Sequence, residues 1–337
     1  MLSIIVPTLN EENQLPTLLE SIKGQNMNDE YEIIVADADS KDETVQVANG
    51  FGCKVVSGGL PAKGRNAGAQ VAKGDLLLFV DGDTVLPKDF LKSNLREFER
   101  RGLDIAGFFL YPYNKSKLCC LLYDLVYNWW ALATEKCLPH ATNTILVKKG
   151  LHQNLGGFDE QIRIAEDHAY AREGAKIGKF GILRSSPITS ITKRFERDGW
   201  VKTCLKYALC EFHMVFLGSV KSDIFEYRFG HYYEDRKLEN TKTRVHRLTV
   251  PLQIFRNGAE IIMGSMLWIF VSLLCVLGAA TKTIFAKMAK KLQVYKYERG
   301  LTLQATRELP ASNTGSTSSW YKTWFRRLVY GLTGQHE

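Results

Sequence analysis

The stretch Leu76-Leu77-Leu78-Phe79-Val80-Asp81-Gly82-Asp83 decides the fold. Five consecutive apolar residues predict a buried strand. The two carboxylates just past it stand where ligands bind in open α/β sheets, outside the carboxyl ends of the strands. Gly82 lets the backbone turn and lets a ligand come close. Paired hard oxygens suit Mg²⁺ or Mn²⁺, and such ions usually bridge to substrate phosphates. The implied chemistry is metal-assisted transfer from a phosphorylated donor. The competing reading is an ordinary Asp-Gly-Asp turn.

Outward from this strand, the first hundred residues alternate between two periodicities. Strands are predicted over 2–6, 31–36, 54–56 and 76–80, and helices over 13–24, after Asp42, over 63–72 and over 88–101. This βαβα order predicts a single α/β domain, its central sheet mostly parallel and flanked by helices. No G-x-G-x-x-G follows the first strand and no G-x-x-x-x-G-K-[ST] occurs, which argues against a dinucleotide fold or a P-loop enzyme. From about 104 to 200 short strands mix with helices. The apolar, aromatic run 118–134 holds a lone Asp124 and reads as a core helix rather than an interfacial one. Beyond Trp200 the pattern is helical as far as Arg256.

The chain has 337 residues, is 45% hydrophobic and carries a formal charge of +8, with the basic residues concentrated late in the sequence. That length allows one large domain plus appendages. The expected divisions are 1–215 for the α/β domain, split at about 103, then a helical basic connector over 216–257. An apolar segment over 258–281 and a basic amphipathic tail over 282–337 complete the chain. Seven cysteines show no C-x-x-C pair and no zinc spacing, so reduced, mostly buried thiols are expected. No nucleic-acid partner is expected.

Residues 261–280 hold no charge over a length that just spans a bilayer core as a helix. After it, Trp320, Trp324 and Leu328 recur every four residues beside Lys322, Arg326 and Arg327, a composition that suits a membrane interface. Arg247 and Arg256 precede the apolar segment, while Lys282, Lys287, Lys290, Lys291 and Lys296 follow it. The positive-inside rule then puts the tail in the cytoplasm. The opening residues lack a basic region and reach Pro7 at once, so no signal peptide is read there. A re-entrant or interfacial segment with both ends cytoplasmic reconciles the two, and gives a location on the cytoplasmic side of the cell membrane.

Further motifs gather at the carboxyl ends of the predicted strands. Val6-Pro7-Thr8-Leu9-Asn10-Glu11-Glu12 closes the first, and Asp37-Ala38-Asp39-Ser40-Lys41-Asp42-Glu43-Thr44 closes the second. Gly64-Arg65-Asn66-Ala67-Gly68 is expected to open a helix, with backbone N–H groups near Arg65 available to an anion. Gly156-Gly157-Phe158-Asp159-Glu160 precedes Glu166-Asp167, and Lys193-Arg194-Phe195-Glu196-Arg197 follows.

In this set and order of motifs the first two hundred residues resemble glycosyltransferase family 2, inverting enzymes with the A-type nucleotide-sugar fold. The resemblance implies that Pro7, Thr8, Glu11 and Asp37 hold the nucleotide base and ribose, with Asp39 and Arg65 near the donor. It implies that Asp81 contacts the ribose or sugar and that Asp83 binds Mg²⁺ or Mn²⁺ at the diphosphate. Asp167 becomes the catalytic base, with Glu166 its rival. Arg194 and Arg197 become donor contacts that stabilise the departing phosphate. Two departures stand out. Ala38-Asp39 replaces the usual glycine or acidic positions before the serine. Lys193-Arg194-Phe195-Glu196-Arg197 stands where processive members carry Gln-x-x-Arg-Trp, which implies a single transfer rather than polymer synthesis.

His168 reads as a structural histidine, and nothing sets His140 and Asn143 apart from loop residues. The functional expectation is a metal-dependent, membrane-associated glycosyltransferase using a nucleotide-sugar donor and a lipid or lipid-linked acceptor. The alternatives are a non-catalytic membrane adaptor on the same fold and a nucleotidyltransferase. The latter would need a glycine-rich triphosphate loop where Val6-Pro7-Thr8-Leu9-Asn10 stands.

Overall fold

A computed structural model of the chain describes residues 1–26, 30–112, 120, 123–141, 143–190, 200–221, 270 and 273. In the first half the strands are β1 (Leu2–Thr8), β2 (Tyr31–Asp37), β3 (Lys54–Ser57), β4 (Leu76–Val80) and β5 (Thr84–Val85). The helices between and after them are α1 (Leu15–Lys23), α2 (Thr44–Gly50), α3 (Pro61–Val71) and α4 (Phe90–Arg101). Then come β6 (Ile105–Pro112), a π-helical turn over Asp124–Asn128 running into α5 (Trp129–Thr134), and β7 (Thr144–Lys148). Three helices and a strand complete the described elements: α6 (Lys149–Leu155), α7 (Glu166–Ile177), β8 (Phe180–Ser190) and α8 (Trp200–Phe216).

The strands form one eight-stranded sheet in the order β3-β2-β1-β4-β7-β6-β8-β5. The βα units of the first half pair in parallel, β3 with β2, β2 with β1 and β1 with β4. The second half is mixed. β7 lies antiparallel between β4 and β6, β8 runs parallel to β6, and β5 pairs antiparallel with the end of β8. The expectation of a mostly parallel sheet is therefore corrected to a mixed one. A parallel neighbour needs a crossover of a dozen or more residues, and β7 breaks that rhythm by entering from the opposite end.

This reversal shapes the ligand edge. Val80 pairs with Thr144, so the residues just before β7 sit beside the Asp81-Gly82-Asp83 turn. Because β6 and β8 run in the same sense as β4, their carboxyl ends reach the same edge.

The core has apolar layers on both faces of the sheet. One joins Ile4, Val6, Leu15, Leu18, Leu19 and Phe90, and the other joins Ile5, Phe79, Ile145, Phe158 and Tyr170. Residues of β1 alternate between the two, as the period of a strand requires. α3 lies very close to β1, since a Cβ added at Gly68 would stand 2.4 Å from Ile5 Cγ2. α3 starts at Pro61, whose fixed φ favours the first helical position, so Arg65 lies inside the helix and not at its N-terminus. The expected anion site on backbone N–H groups at Arg65 is thereby withdrawn.

The described residues of the run 118–134 are only partly core. Asn128 is buried and bonds both the N–H and the carbonyl of Leu110, whereas Trp129 is 71% exposed. Of the described cysteines, Cys53, Cys204 and Cys210 are free and buried, and Cys137 is free and exposed. The apolar segment, apart from residues 270 and 273, lies outside the described residues, as do the tail and the connector beyond 221. Among the described residues no helix is long and apolar enough to cross a membrane.

Candidate active site

The loops after β1 and β2 are laced together by their own hydrogen bonds. Asn10 N–H donates to Ser40 Oγ at 2.8 Å, and Lys41 N–H donates back to Asn10 Oδ1 at 2.7 Å. Glu11 N–H donates to Thr44 Oγ1, Glu12 N–H to Asp42 Oδ2, and Glu43 N–H to Glu12 Oε2. Short polar side chains satisfy the backbone of a neighbouring loop in place of water. Burial opposes ionisation of Asp42, but the hydrogen bonds from Thr44 and Glu12 outweigh it and hold its pKa below the ordinary value.

Within this frame Thr8 Oγ1 lies 3.2 Å from Asp37 Oδ1, and Ser40 N–H donates to Asp37 Oδ2 at 2.9 Å. Thr8 and Asp37 are buried, and Pro7 packs against Gly64 on α3. Glu11 lies against the Asp81-Gly82-Asp83 turn, because its Cγ would meet a Cβ at Gly82 at 3.4 Å. Asp39 is exposed and pairs with Lys41 at 2.6 Å. Pro7, Thr8, Glu11, Asp37, Asp39, Asp81 and Asp83 thus share one edge.

Arg65 joins this edge to the second half of the domain. It is 2% exposed, and it donates to Asp81 Oδ1 at 2.8 Å and to Glu166 Oε1 at 2.6 Å. Its guanidinium also lies 5.3 Å from the centre of the Phe158 ring. Burial alone would disfavour the charge, but Asp81, Glu166 and Asp167 more than offset that, and Arg65 stays cationic. The neighbouring Asn66 locks the turn at Gly156-Gly157: it accepts from Phe158 N–H and donates to Phe158 O and Glu160 Oε1. Gly157 has φ +83°, and a Cβ there would stand 2.6 Å from Asn66 Oδ1.

Glu166 and Asp167 open α7. Asp167 is half-buried and accepts from the His168 N–H at 2.8 Å. Burial, helped by the adjacent Glu166 charge, pushes its pKa up to about 6 against the pull of His168 and Arg65. The two carboxylates therefore differ: Glu166 is fixed by Arg65, while Asp167 is poised to take up a proton near neutrality. Three non-glycine residues among those described adopt left-handed backbone: Asn10 (φ 53°), Asp39 (φ 66°) and Ala165 (φ 60°). Each sits in a loop that carries candidate site residues, and such strained positions cluster at functional sites.

The sequence reading missed one cluster. Glu211 on α8 is 1% exposed and lies 3.2 Å from His140 Nε2 and 3.7 Å from His168 Nδ1, with Arg172 Nη2 bonded to its Oε1. His168 and Arg172, four residues apart, share one face of α7. Burial raises the Glu211 pKa, but the nearby His140, His168 and Arg172 outweigh it and hold it well below the ordinary value. His140 is pushed down by burial. His168 is pushed up because Asp167 and Glu211 outweigh its burial. The available signal was a lone carboxylate within the apolar run Tyr207-Ala208-Leu209-Cys210-Glu211-Phe212. Asn143 donates to Thr84 Oγ1 at 3.1 Å, which ties it to the strand after the Asp81-Gly82-Asp83 turn. Arg194 and Arg197 lie outside the described residues.

Several known proteins are similar to this chain. Residues 3–137 match the family model described as Glycosyl transferase family 2. An uncharacterized glycosyltransferase of Haemophilus influenzae is 28% identical over 188 residues, which cover 50% of this chain and 60% of that protein. The poly(ribitol-phosphate) beta-N-acetylglucosaminyltransferase TarS of Staphylococcus aureus is 35% identical over 203 residues, covering 57% of this chain and 35% of that protein. The matched stretches thus span less than two thirds of either relative. The mannosyltransferase PcManGT of Pyrobaculum calidifontis, solved with GDP-Man and Mn²⁺, superposes with a TM-score of 0.54 at 16% identity. That match covers 98% of this chain and 85% of PcManGT, and it is a likeness of fold.

Proposed function

Because residues 3–137 are a glycosyl transferase family 2 domain, we propose that the chain moves one sugar from a nucleotide-sugar donor to an acceptor hydroxyl, with inversion at the anomeric carbon. The observation that carries this reading is the buried Arg65. One guanidinium binds Asp81 at the end of β4 and Glu166 beside Asp167, which ties the donor edge to the base.

In this reading Thr8 and Asp37 face the nucleotide, and Asp81, held by Arg65, contacts the ribose or sugar. Glu11, Asp81 and Asp83 offer only oxygen donors around one turn, a set that fits a hard divalent ion such as Mg²⁺ or Mn²⁺, with Asp83 as the ligand. Such an ion would supply Lewis-acid stabilisation of the departing diphosphate. Asp167 removes the proton from the acceptor hydroxyl as that oxygen attacks the anomeric carbon. A positioned carboxylate of this kind contributes about 10²–10⁴-fold. With one base and no protein nucleophile, the displacement is single and inverts the centre. Arg194 and Arg197 are assigned to the phosphates on the strength of the sequence pattern.

The acceptor in this proposal is a lipid or lipid-linked molecule at the cytoplasmic face of a membrane. The uncharged run 261–280 and the tryptophan-bearing basic tail support it. The test incubates the full chain with Mn²⁺, a panel of UDP-, GDP- and dTDP-sugars and a membrane-lipid extract, with products read by mass spectrometry. Sugar-dependent release of a nucleoside diphosphate together with a glycosylated lipid is expected. Pyrophosphate release would make the protein a nucleotidyltransferase, and donor binding without turnover would make it an adaptor.

A further inference from the structure

We propose that His140, His168 and Glu211 form a second metal site, for a borderline divalent transition ion such as Zn²⁺, distinct from the carboxylates at the end of β4. Three ligand atoms, one from each residue, converge to within 4.8 Å of one another. His140 Nε2, His168 Nδ1 and Glu211 Oε2 are buried and have no hydrogen-bond partner among the described residues. Buried polar atoms are nearly always satisfied, so three converging orphans need an occupant.

The separations bring the three groups near a common point that a metal ion could occupy with a modest inward shift of the histidine rings. His140 Nε2 lies 3.2 Å from Glu211 Oε1, and His168 Nδ1 lies 3.7 Å from Glu211 Oε2. Atoms about 2.0–2.1 Å from a tetrahedral zinc ion stand about 3.3–3.4 Å apart.

The supporting contacts point the same way. Thr134 Oγ1 donates to Trp130 O at 2.8 Å, so its lone pairs are left to accept from His140 Nδ1, 3.3 Å away. With the proton on Nδ1, the Nε2 lone pair faces a carboxylate, and a metal ion between them would serve both. Arg172 occupies Glu211 Oε1 and leaves Oε2 facing His168. Ligating carboxylates and histidines are commonly oriented by such outer hydrogen bonds. Two imidazoles and one carboxylate suit Zn²⁺ and its neighbours, unlike the all-oxygen set around Asp83. The ion would clamp α8 and the segment before β7 onto α7, the helix that begins with Glu166-Asp167.

The test uses the full chain carrying Asp83→Asn, which removes the expected donor-site ligand. Purified without chelator and exposed to Zn²⁺, this protein should retain about one zinc per chain, with water in the fourth position that a three-ligand set leaves open. Zinc should also raise its thermal midpoint. Co²⁺ in place of Zn²⁺ should give visible d–d absorption. Adding His140→Ala or Glu211→Gln should lower the retained zinc by roughly tenfold or more. A chain with Asp83→Asn that binds no zinc and gives no cobalt bands overturns the proposal, with water then filling the cluster. Retention of the full zinc content after His140→Ala overturns it equally. Should the double variants fail to fold, the cobalt spectrum of the Asp83→Asn protein decides alone.

Discussion

Asp167 and Glu166 are adjacent in sequence yet meet different surroundings, and that difference is the basis of the catalytic assignment. Glu166 is engaged by Arg65 at 2.6 Å, whereas burial raises the Asp167 pKa to about 6. A general base must be ionised, so kcat should rise with pH around an apparent pKa near 6 and level off above it. Asp167→Asn should lower kcat by about 10²–10⁴-fold while leaving donor affinity near wild type, as read by calorimetry. Wild-type turnover by that variant would refute the assignment. The same shift has a stability consequence. Folding raises this pKa from an ordinary 3.8, so the folded state holds the proton more tightly. The resulting penalty is absent at low pH, grows from about pH 4 to 6 and is full above it. Asp167→Asn should therefore raise the thermal midpoint at pH 8 and leave it nearly unchanged at pH 3. Arg65 is the opposite case. Arg65→Ala would leave Asp81 and Glu166 without their buried partner, which should cost about 3–5 kcal/mol in urea unfolding.

At the scale of elements, close approach and turn strain set the geometry. Gly68 lets α3 lie on β1, and a methyl there would collide with Ile5. Gly68→Ala should destabilise by about 1–3 kcal/mol, the usual cost of overpacking, with denaturant midpoints as the measure. Ala165, just before α7, holds a left-handed backbone that disfavours any Cβ. Ala165→Gly should relieve strain and stabilise by up to about 1 kcal/mol. If that strain aims Asp167, the same variant should lose kcat, and paired stability and kinetic measurements would show both. The elements of the first half were legible beforehand because each βα unit is local, with an apolar strand, a polar loop and an amphipathic helix in order. Where the structure differs from the expectation, at the start of α3 and at Trp129 within the run 118–134, the outcome rested on neighbours. Pro61 began the helix earlier, and Asn128 is buried against Leu110 while the next residue, Trp129, faces outward.

For the whole molecule, the reversal at β7 is the decisive event. It carries the residues before β7 to the Asp81-Gly82-Asp83 edge and joins the second half of the sheet to the first. Arg65 and Asn66 then fasten α3 to the turn at Phe158 and to the start of α7. The basic, tryptophan-bearing tail predicts charge-assisted membrane binding. The full chain should sediment with anionic vesicles at low salt and be released progressively at higher salt, since screening weakens exposed charge attraction. Equal binding to neutral vesicles, insensitive to salt, would remove the electrostatic part of that expectation.

By itself the sequence determined the order of strands and helices in the first hundred residues, the edge at which ligands would meet them, and the candidate carboxylates. These follow from local periodicity and from residues at fixed offsets along one strand. Only the tertiary structure decided that Arg65 is a buried bridge, that Asp167 differs from Glu166, and that His140, His168 and Glu211 converge. Those facts depend on contacts between segments forty to a hundred residues apart. Burial, which shifts pKa values and leaves polar atoms without partners, exists only once the chain is packed.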